Sequence, residues 1–332
     1  MNSAPVLGII LGDHAGISPE IAVKALLQND GSYIPVLIGN RRYFDISRKI
    51  VEGGEKLNIL PLEGRPGDTS QGAVYFLDIE AGDDIRFSKV SAGSGKLIID
   101  SIGAAIGLEK ARVVDGICLA PITKESLHEA GYGYSSEFEI FKELYSTGSC
   151  SAVVNRGEIF RSTVVEHCAF ADIVKKLSAE GIISTAVELH KVMAKFLPRE
   201  KCKIAVAALN PHAGEHGLFG NEESLIISPA IECLREKGYS VTGPCPADTV
   251  FLKALDGEVN GVVFLYHDQG NIAMKSVFFG EGVVIFTNIP AHIVSPGHGP
   301  AFDIAGKGIA DPKNILASIG VLKQLVLQKG IP

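Results

Sequence analysis

The sequence has no tryptophan and only three methionines in 332 residues, and its six cysteines stand apart from one another. There is no Cys-x-x-Cys pair, so neither a zinc ribbon nor a thioredoxin-type motif is indicated. The net charge is −7 without a basic stripe, which argues against nucleic-acid binding. No uncharged run reaches the roughly 20 residues that span a bilayer, and the N-terminus lacks the basic region of a signal peptide. We therefore expect a cytoplasmic protein with reduced thiols and no membrane or nucleic-acid partner.

What the chain does contain is a regular alternation of short apolar runs and longer amphipathic segments. Residues 6–11, 116–120 and 261–266 are typical of buried strands, whereas residues 97–114 and 314–328 predict helices. This alternation favours an α/β fold with a largely parallel sheet. A chain of this length suits two lobes better than one core.

Histidines follow three of the predicted strands, at the sheet edge where ligands bind in such folds. They are His167, His212 and His267. Three imidazoles that converge from strand ends could hold a divalent metal and leave positions open for a substrate. Each histidine taken alone is more typical of a loop residue with a structural hydrogen bond, and the three together favour the metal site.

Three further side chains are candidates for catalysis. Lys275 lies eight residues after His267, and a lysine beside a metal could move the proton of a substrate hydroxyl. Lys124 follows another predicted strand, and Asp248 lies in a proline-rich turn before a predicted helix. The alternatives are a surface lysine for Lys275 and a helix N-cap for Asp248.

A glycine-rich segment occupies residues 295–311. Gly297 and Gly299 would let the backbone approach a phosphorylated ligand, and Asp303 could bind the two hydroxyls of an adenosine ribose, which favours NAD. No Gly-x-Gly-x-x-Gly follows the first strand, so an ordinary Rossmann site is not supported. By spacing alone the segment could be a plain glycine-rich loop.

Residues 298–312 resemble the adenosine-binding loop of the isocitrate and isopropylmalate dehydrogenase superfamily, in which an Asp-Ile pair accompanies NAD, here Asp303 and Ile304. Within it, the chain resembles the 4-hydroxythreonine-4-phosphate dehydrogenase family. The motifs that carry this resemblance follow the family order and lie at residues 12–20, 210–215, 219–223, 243–249 and 266–270.

The resemblance implies a two-lobed α/β/α fold with the active-site cleft between the lobes. Residues 1–125 and 296–332 would form the cofactor-side lobe, and residues 126–295 the lobe for metal, substrate and dimerisation. It also implies a homodimer with a shared active site and NAD-dependent oxidation of a hydroxy acid, often followed by loss of carbon dioxide. The three histidines would hold Zn, Mg, Mn or Co, and Lys275 would face the substrate. Residues expected at the cofactor are Gly12, Asp13, Gly297, His298, Gly299, Ala301, Asp303, Ile304 and Asp311.

Several substrate positions depart from the family pattern. Glu137 and Phe138 replace a His-Thr pair, and Val284 and Ile293, next to His292, replace an asparagine and an arginine. These changes remove hydrogen-bond donors that would bind a phosphate, and they add the carboxylate of Glu137. We therefore hypothesise an altered substrate pocket, for a hydroxy acid without the phosphate or with an apolar part. The alternatives are a 4-phospho-threonate or -erythronate, a terephthalate-type carboxylated cis-dihydrodiol, a metal enzyme without redox chemistry, and a non-catalytic metabolite-binding protein.

Overall fold

The computed structural model describes residues 4–67 and 72–328. The strands of these residues are β1 (Val6–Ile10), β2 (Ile34–Gly39), β3 (Asn58–Pro61), β4 (Ala73–Asp78), β5 (Gly116–Leu119), β6 (Ser151–Arg156), β7 (Ile159–Val165), β8 (Lys203–Ala207), β9 (Ser240–Cys245), β10 (Gly261–Tyr266), β11 (Val283–Thr287) and β12 (Ile293–Pro296). The helices are α1 (Ser18–Leu26), α2 (Arg41–Ile50), α3 (Ala92–Lys110), α4 (Lys124–Glu129), α5 (Glu137–Leu144), α6 (Ile173–Lys176), α7 (Ala179–Met193), α8 (Ser228–Glu236), α9 (Val250–Leu255), α10 (His267–Val277) and α11 (Lys313–Leu327).

Residues 1–151 and 282–332 form the first of two compact units. Its strands lie in the order β3-β4-β2-β1-β5-β12-β11, and all neighbours are parallel except β11 and β12. The central strands are continuous apolar runs because helices cover both faces of a parallel sheet. Ile10 and Ile38 on the strands are fully buried against Ile98 and Ile102 of α3.

Residues 152–281 form the second unit. Its strands lie in the order β6-β7-β10-β8-β9, with β6 antiparallel to β7 and the remaining pairs parallel. Val262 and Phe264 of β10 are fully buried and share a core cluster with Val250 and Phe251 of α9. The parallel pairing brings the carboxyl ends of β7, β10 and β8 to one edge of this sheet.

The α/β fold with a largely parallel sheet is confirmed. The compact units divide the chain at residues 151/152 and 281/282, whereas the lobes expected from the sequence divided it at 125/126 and 295/296. Helix α5 and the antiparallel pair β11–β12 therefore belong to the first unit, because that pair continues the sheet beyond β5. Among the described helices, none is long and apolar enough to cross a membrane.

An ion pair between Glu20 and Lys24 of α1 holds residues 308–310 against that helix. The Glu20 carboxylate accepts hydrogen bonds from the backbone N–H groups of Gly308 (3.2 Å) and Ala310 (2.7 Å). Lys24, 2.9 Å from Glu20, donates to the carbonyl groups of the same two residues. Glu20 and Lys24 therefore satisfy backbone groups of a segment almost 300 residues later.

Candidate active site

Two of the three predicted metal ligands lie together at the edge of the second unit. Val165 and Tyr266 lie side by side at the ends of the parallel strands β7 and β10. The residues that follow each strand are therefore neighbours. One ligand atom each of Glu166, His167 and His267 lies within 4.8 Å of the others, and the two imidazole ring centres are 5.0 Å apart. This separation suits a shared divalent ion.

The orientation of the His267 ring is fixed by its neighbour. Its Nδ1 lies 2.7 Å from Oδ1 of Asp268, so that Nδ1–H donates to the carboxylate and Nε2 is the nitrogen left for a metal. A carboxylate behind a ligand imidazole is a common arrangement in metal sites and increases the basicity of the ligand. Two imidazoles and one carboxylate form a donor set that Zn, Mn or Co accepts.

His212 does not join this group of described residues. It opens a run of six residues with positive φ, from His212 to Gly217, four of which are not glycine. The loop is held at its base by the buried Glu223, whose carboxylate accepts from the backbone N–H groups of Leu209 and Asn210 and from the Asn210 amide. Burial by itself would raise the pKa of Glu223, but the hydrogen bonds from Asn210 and from backbone N–H groups together outweigh it, so the pKa is lowered.

Lys275 lies exposed on α10, two turns after His267. Asn271, one turn from each of them, accepts a 2.6 Å hydrogen bond from Nη2 of Arg161. Arg161 is 7 % exposed, its Nε is unsatisfied, and burial lowers its pKa. A buried guanidinium without an ion pair in the described residues thus supports the helix that carries His267 and Lys275.

Asp248 lies exposed between β9 and α9. The N-cap of α9 is Thr249, and no side chain caps that helix, so the alternative of Asp248 as an N-cap is wrong. Its carboxylate has no bonding partner among the described residues and is free to meet a ligand.

The first unit brings two of the predicted site residues together. Nζ of Lys124, at the start of α4, is 3.7 Å from Oε2 of Glu137, at the start of α5. Their side chains are 41 % and 29 % exposed, so the pair remains accessible. The lysine offsets the charge that Glu137 introduces, which weakens the electrostatic argument against a phosphorylated substrate.

The expected apolar lining of a substrate pocket is only partly accessible. Ile293 is fully buried in β12, paired with Ile117, so its side chain is a core residue and that expectation is wrong. Phe138 lies edge-to-face on Phe286 at 5.7 Å, and like Val284 of β11 it is half-buried against the same core. Half-buried His292 accepts a hydrogen bond from the Ile117 N–H group through its carbonyl group, as a strand residue does.

The predicted cofactor loop is an exposed turn with an available carboxylate. Asp303 and Ile304 lie in a 3-10 turn after Ala301, whose φ is 43°. Asp303 is exposed and its carboxylate has no partner within residues 4–67 and 72–328. The loop is fastened to the start of α1, where the Ile17 N–H group donates to the Pro300 carbonyl (2.9 Å). Asp303 is therefore available to the two hydroxyls of a ribose.

Other positions of this loop have bonds of their own. Gly297 donates its N–H group to the Gly282 carbonyl (2.7 Å), and Nδ1 of His298 lies 2.9 Å from the Gly299 carbonyl. The Asp311 carboxylate accepts from the Lys313 N–H group (2.9 Å) at the start of α11, as a capping residue does.

Gly12 and Asp13, expected at the cofactor, are interior residues. Gly12 has φ of 57°, and a Cβ there would lie 2.4 Å from the Pro121 carbonyl oxygen, so only glycine fits. Asp13 is fully buried and accepts from the Ala15 N–H group (2.8 Å) and the hydroxyls of Ser94 (2.5 Å) and Ser126 (3.3 Å). Its side chain is not exposed to a ligand, so the expectation for Asp13 is wrong.

Comparison with known proteins bears on both units. The family described as pyridoxal phosphate biosynthetic protein PdxA matches residues 32–322. The chain belongs to the PdxA family. 4-Hydroxythreonine-4-phosphate dehydrogenase of Caulobacter vibrioides is 35 % identical over 100 % of both chains. D-threonate 4-phosphate dehydrogenase of Pectobacterium atrosepticum is 34 % identical over 96 % of this chain and 99 % of that one.

Solved structures agree with this membership. 4-Hydroxythreonine-4-phosphate dehydrogenase from Klebsiella pneumoniae has a TM-score of 0.83 and 31 % identity, covering 98 % of this chain and 99 % of that one. Isocitrate dehydrogenase from Methylococcus capsulatus, 14 % identical, has a TM-score of 0.50 over 97 % of this chain and 86 % of that one. The isocitrate dehydrogenase-like fold expected from the sequence is therefore confirmed.

Two residues of this PdxA-family chain were missed in the sequence. Glu166 precedes His167 and joins the metal-ligand group, a place that the register of β7 and β10 determines. Arg161 lies inside an apolar strand and is buried. A single arginine in such a strand could have indicated a bonded role, because burying a charge without partners is energetically unfavourable.

Proposed function

We propose that this protein is an NAD-dependent and divalent-metal-dependent dehydrogenase of a small hydroxy acid, with oxidation followed by loss of carbon dioxide. The observation that carries the proposal is the group of Glu166, His167 and His267, with the His267 ring oriented by Asp268. The names of its relatives, which are dehydrogenases of phosphorylated hydroxy acids, support the reaction class. His212 remains the predicted third histidine of the site.

A divalent ion held by these residues would polarise the substrate oxygen. Lys275 would exchange the hydroxyl proton through its Nζ, and Asn271 with Arg161 would keep the α10 backbone in place beneath it. Asp303 would accept hydrogen bonds from the ribose hydroxyls and disfavour a 2′-phosphate by charge repulsion. Asp248, exposed and unpaired in the described residues, is the second candidate for proton transfer.

For the substrate we propose a phosphorylated sugar acid of the D-threonate 4-phosphate type. The relatives' names and the Lys124–Glu137 pair support the phosphate, because Lys124 offsets the added acid. The burial of Ile293 removes part of the apolar lining that favoured an unphosphorylated substrate.

The test measures NADH formation by absorbance with D-threonate 4-phosphate and with D-threonate, each with Mn²⁺. We expect turnover of the phosphorylated acid and at least about tenfold lower kcat/KM for the other. Lys275→Met should bind metal and NAD yet lose turnover. A protein that binds metal but gives no absorbance change with any hydroxy acid would favour the metal enzyme without redox chemistry. A protein that binds neither metal nor NAD would favour the non-catalytic metabolite-binding protein.

We further propose that the active form is a homodimer. Large apolar side chains of the second unit are exposed, and a second copy would remove them from water. They include Phe170 (78 %), Leu218 (70 %), Leu225 (73 %), Ile272 (66 %) and Phe279 (85 %). Light scattering after gel filtration should give twice the chain mass, and Phe279→Asp should give monomers, whereas Leu60→Asp in the first unit should not. A monomeric native protein would contradict this proposal.

A further inference from the structure

A cavity of about 320 Å³ lies in the first unit, and none of its lining residues belongs to the sites described above. Buried His14, Tyr43 and Ile85 line it together with the more exposed Ile46 and Phe87. Small-molecule sites occupy about 300–1,000 Å³, so this one is at the small end of the range. It has room for one small ring system rather than for a dinucleotide.

The inner wall offers a ligand no free polar atom. Nδ1 of His14 lies 3.1 Å from the Gly12 carbonyl and Nε2 accepts from the Asn40 N–H group at 3.1 Å. Burial lowers the pKa of His14 to about 4, so the ring is neutral. The Tyr43 hydroxyl donates to the Gly82 carbonyl at 2.8 Å. A ligand part that enters here must therefore be apolar, since a polar one would lose its hydrogen bonds to water.

Two arginines line the cavity as well and differ in their partners. Arg42 forms an ion pair with Asp83. Arg86 donates from Nη1 to the backbone carbonyl groups of Asp83 (2.5 Å) and Ile85 (2.8 Å), and it has no ion pair in the described residues. Asp84 is engaged elsewhere, since it accepts from the Gly93 N–H group at the start of α3. Nε and Nη2 of Arg86 are thus a free guanidinium edge, the geometry that binds a carboxylate through two hydrogen bonds.

We propose that this cavity is a binding site for a small aromatic carboxylate. Its ring would lie against the apolar and aromatic side chains of the wall, among them Tyr43 and Phe87, and its carboxylate would meet Arg86. Arg42 is already paired with Asp83, so Arg86 is the lining cation that has no ion pair in the described residues, and a single carboxylate matches it. This site does not depend on the proposed dehydrogenase activity.

The cavity wall also contacts the predicted cofactor loop, which makes NAD a necessary competitor in the test. The hydroxyl of Ser88 donates to the Phe302 carbonyl, and a Cβ on Gly306 would lie 2.7 Å from the Phe87 ring. If the cavity is a separate site, NAD and the aromatic acid bind the protein together.

Calorimetric titration of the full chain with 2-naphthoate tests the proposal, with 2-naphthalenemethanol as the neutral probe of the same shape. We expect 2-naphthoate to bind with Kd below about 1 mM and the alcohol at least about tenfold more weakly. Saturating NAD should leave both Kd values unchanged. Absence of naphthoate binding, equal affinity for the two probes, or displacement by NAD would each overturn the proposal.

Variants place the binding in this cavity. Arg86→Gln should weaken naphthoate about tenfold and leave the alcohol unchanged, because it removes the charge and the paired N–H donors that bind the carboxylate. Ile46→Trp should fill the space and weaken both probes. Arg48→Gln is the matched control. Arg48 lies on α2, as Ile46 does, but does not line the cavity, so this variant should change neither Kd. Unaltered naphthoate affinity in both Arg86→Gln and Ile46→Trp, each folded by circular dichroism, would reject the site.

Discussion

Polar residues follow β1 in the first unit and β10 in the second, and the two strand ends use them in opposite ways. After β1, Asp13 and His14 are buried, and the chain itself bonds their side-chain polar atoms. After β10, His267 and Asp268 bond to each other and stay accessible, and Nε2 of His267 is left for a ligand. A strand end becomes a binding site only where polar atoms remain unsatisfied. The same local pattern in sequence can therefore support either the fold or a ligand.

The sharpest test of this contrast is His267→Ala, which removes a ligand that the fold does not use. We expect metal affinity to fall by at least about 100-fold, since even changes behind a ligand cost about 10–100-fold. The free energy of unfolding of the metal-free protein should stay within about 0.5 kcal/mol, as for other accessible positions. Metal titration and urea unfolding measure the two effects. Unchanged metal affinity would remove His267 from the site.

At the end of β1 the expected effect is on stability and depends on pH. His14 has its pKa lowered to about 4 by burial, against 6.5 when exposed, so the folded protein binds its proton less well than the unfolded chain. The free energy of unfolding should then be unaffected by this group above pH 6.5 and fall by about 3 kcal/mol as the pH drops towards 4. Urea unfolding from pH 8 to 4 measures it. His14→Gln should remove this part of the slope, and an identical slope in the variant would contradict the assignment.

Asp13→Asn is expected to have a smaller effect, also on stability. Asparagine keeps the size of the side chain but replaces charge-assisted acceptor bonds to Ser94 and Ser126 with weaker or mismatched ones. The free energy of unfolding should fall by about 2 kcal/mol. Asp303→Asn, at an exposed position, is the control and should change NAD affinity instead of stability. A variant at Asp13 that weakens NAD without loss of stability would restore its predicted role at the cofactor.

The smallest effect on stability is expected at the Lys124–Glu137 pair. Its exposure lies between that of buried Asp13 and His14 and that of accessible His267 and Asp268. Pairs of this kind contribute about 0–1 kcal/mol, so Glu137→Gln should barely change thermal unfolding. It should, however, lower KM for a phosphorylated substrate, because a negative charge is removed. Lys124→Met should raise that KM. Equal KM values in both variants would show that the pair lies outside the substrate site.

The sequence predicted the parts of the molecule that depend on local pattern. Apolar runs located the strands, and because Val165 and Tyr266 end neighbouring parallel strands, His167 and His267 meet as expected. The burial of Asp13 could not be predicted, since its partners Ser94 and Ser126 are 81 and 113 residues away. Nor could that of Ile293, whose short strand is buried by the pairing of β12 between β5 and β11.

The bonds from Glu20 and Lys24 to Gly308 and Ala310 bear on how the chain is made. A ribosome that has synthesised β1 to β5 has not yet supplied β12, which pairs with β5, nor the amides that Glu20 requires. The second unit is contiguous, and its residues emerge in full while the first unit is still incomplete. The first unit is therefore completed only after the second unit has emerged, and the buried Glu20 carboxylate lacks its backbone partners until residues 308 and 310 have been synthesised.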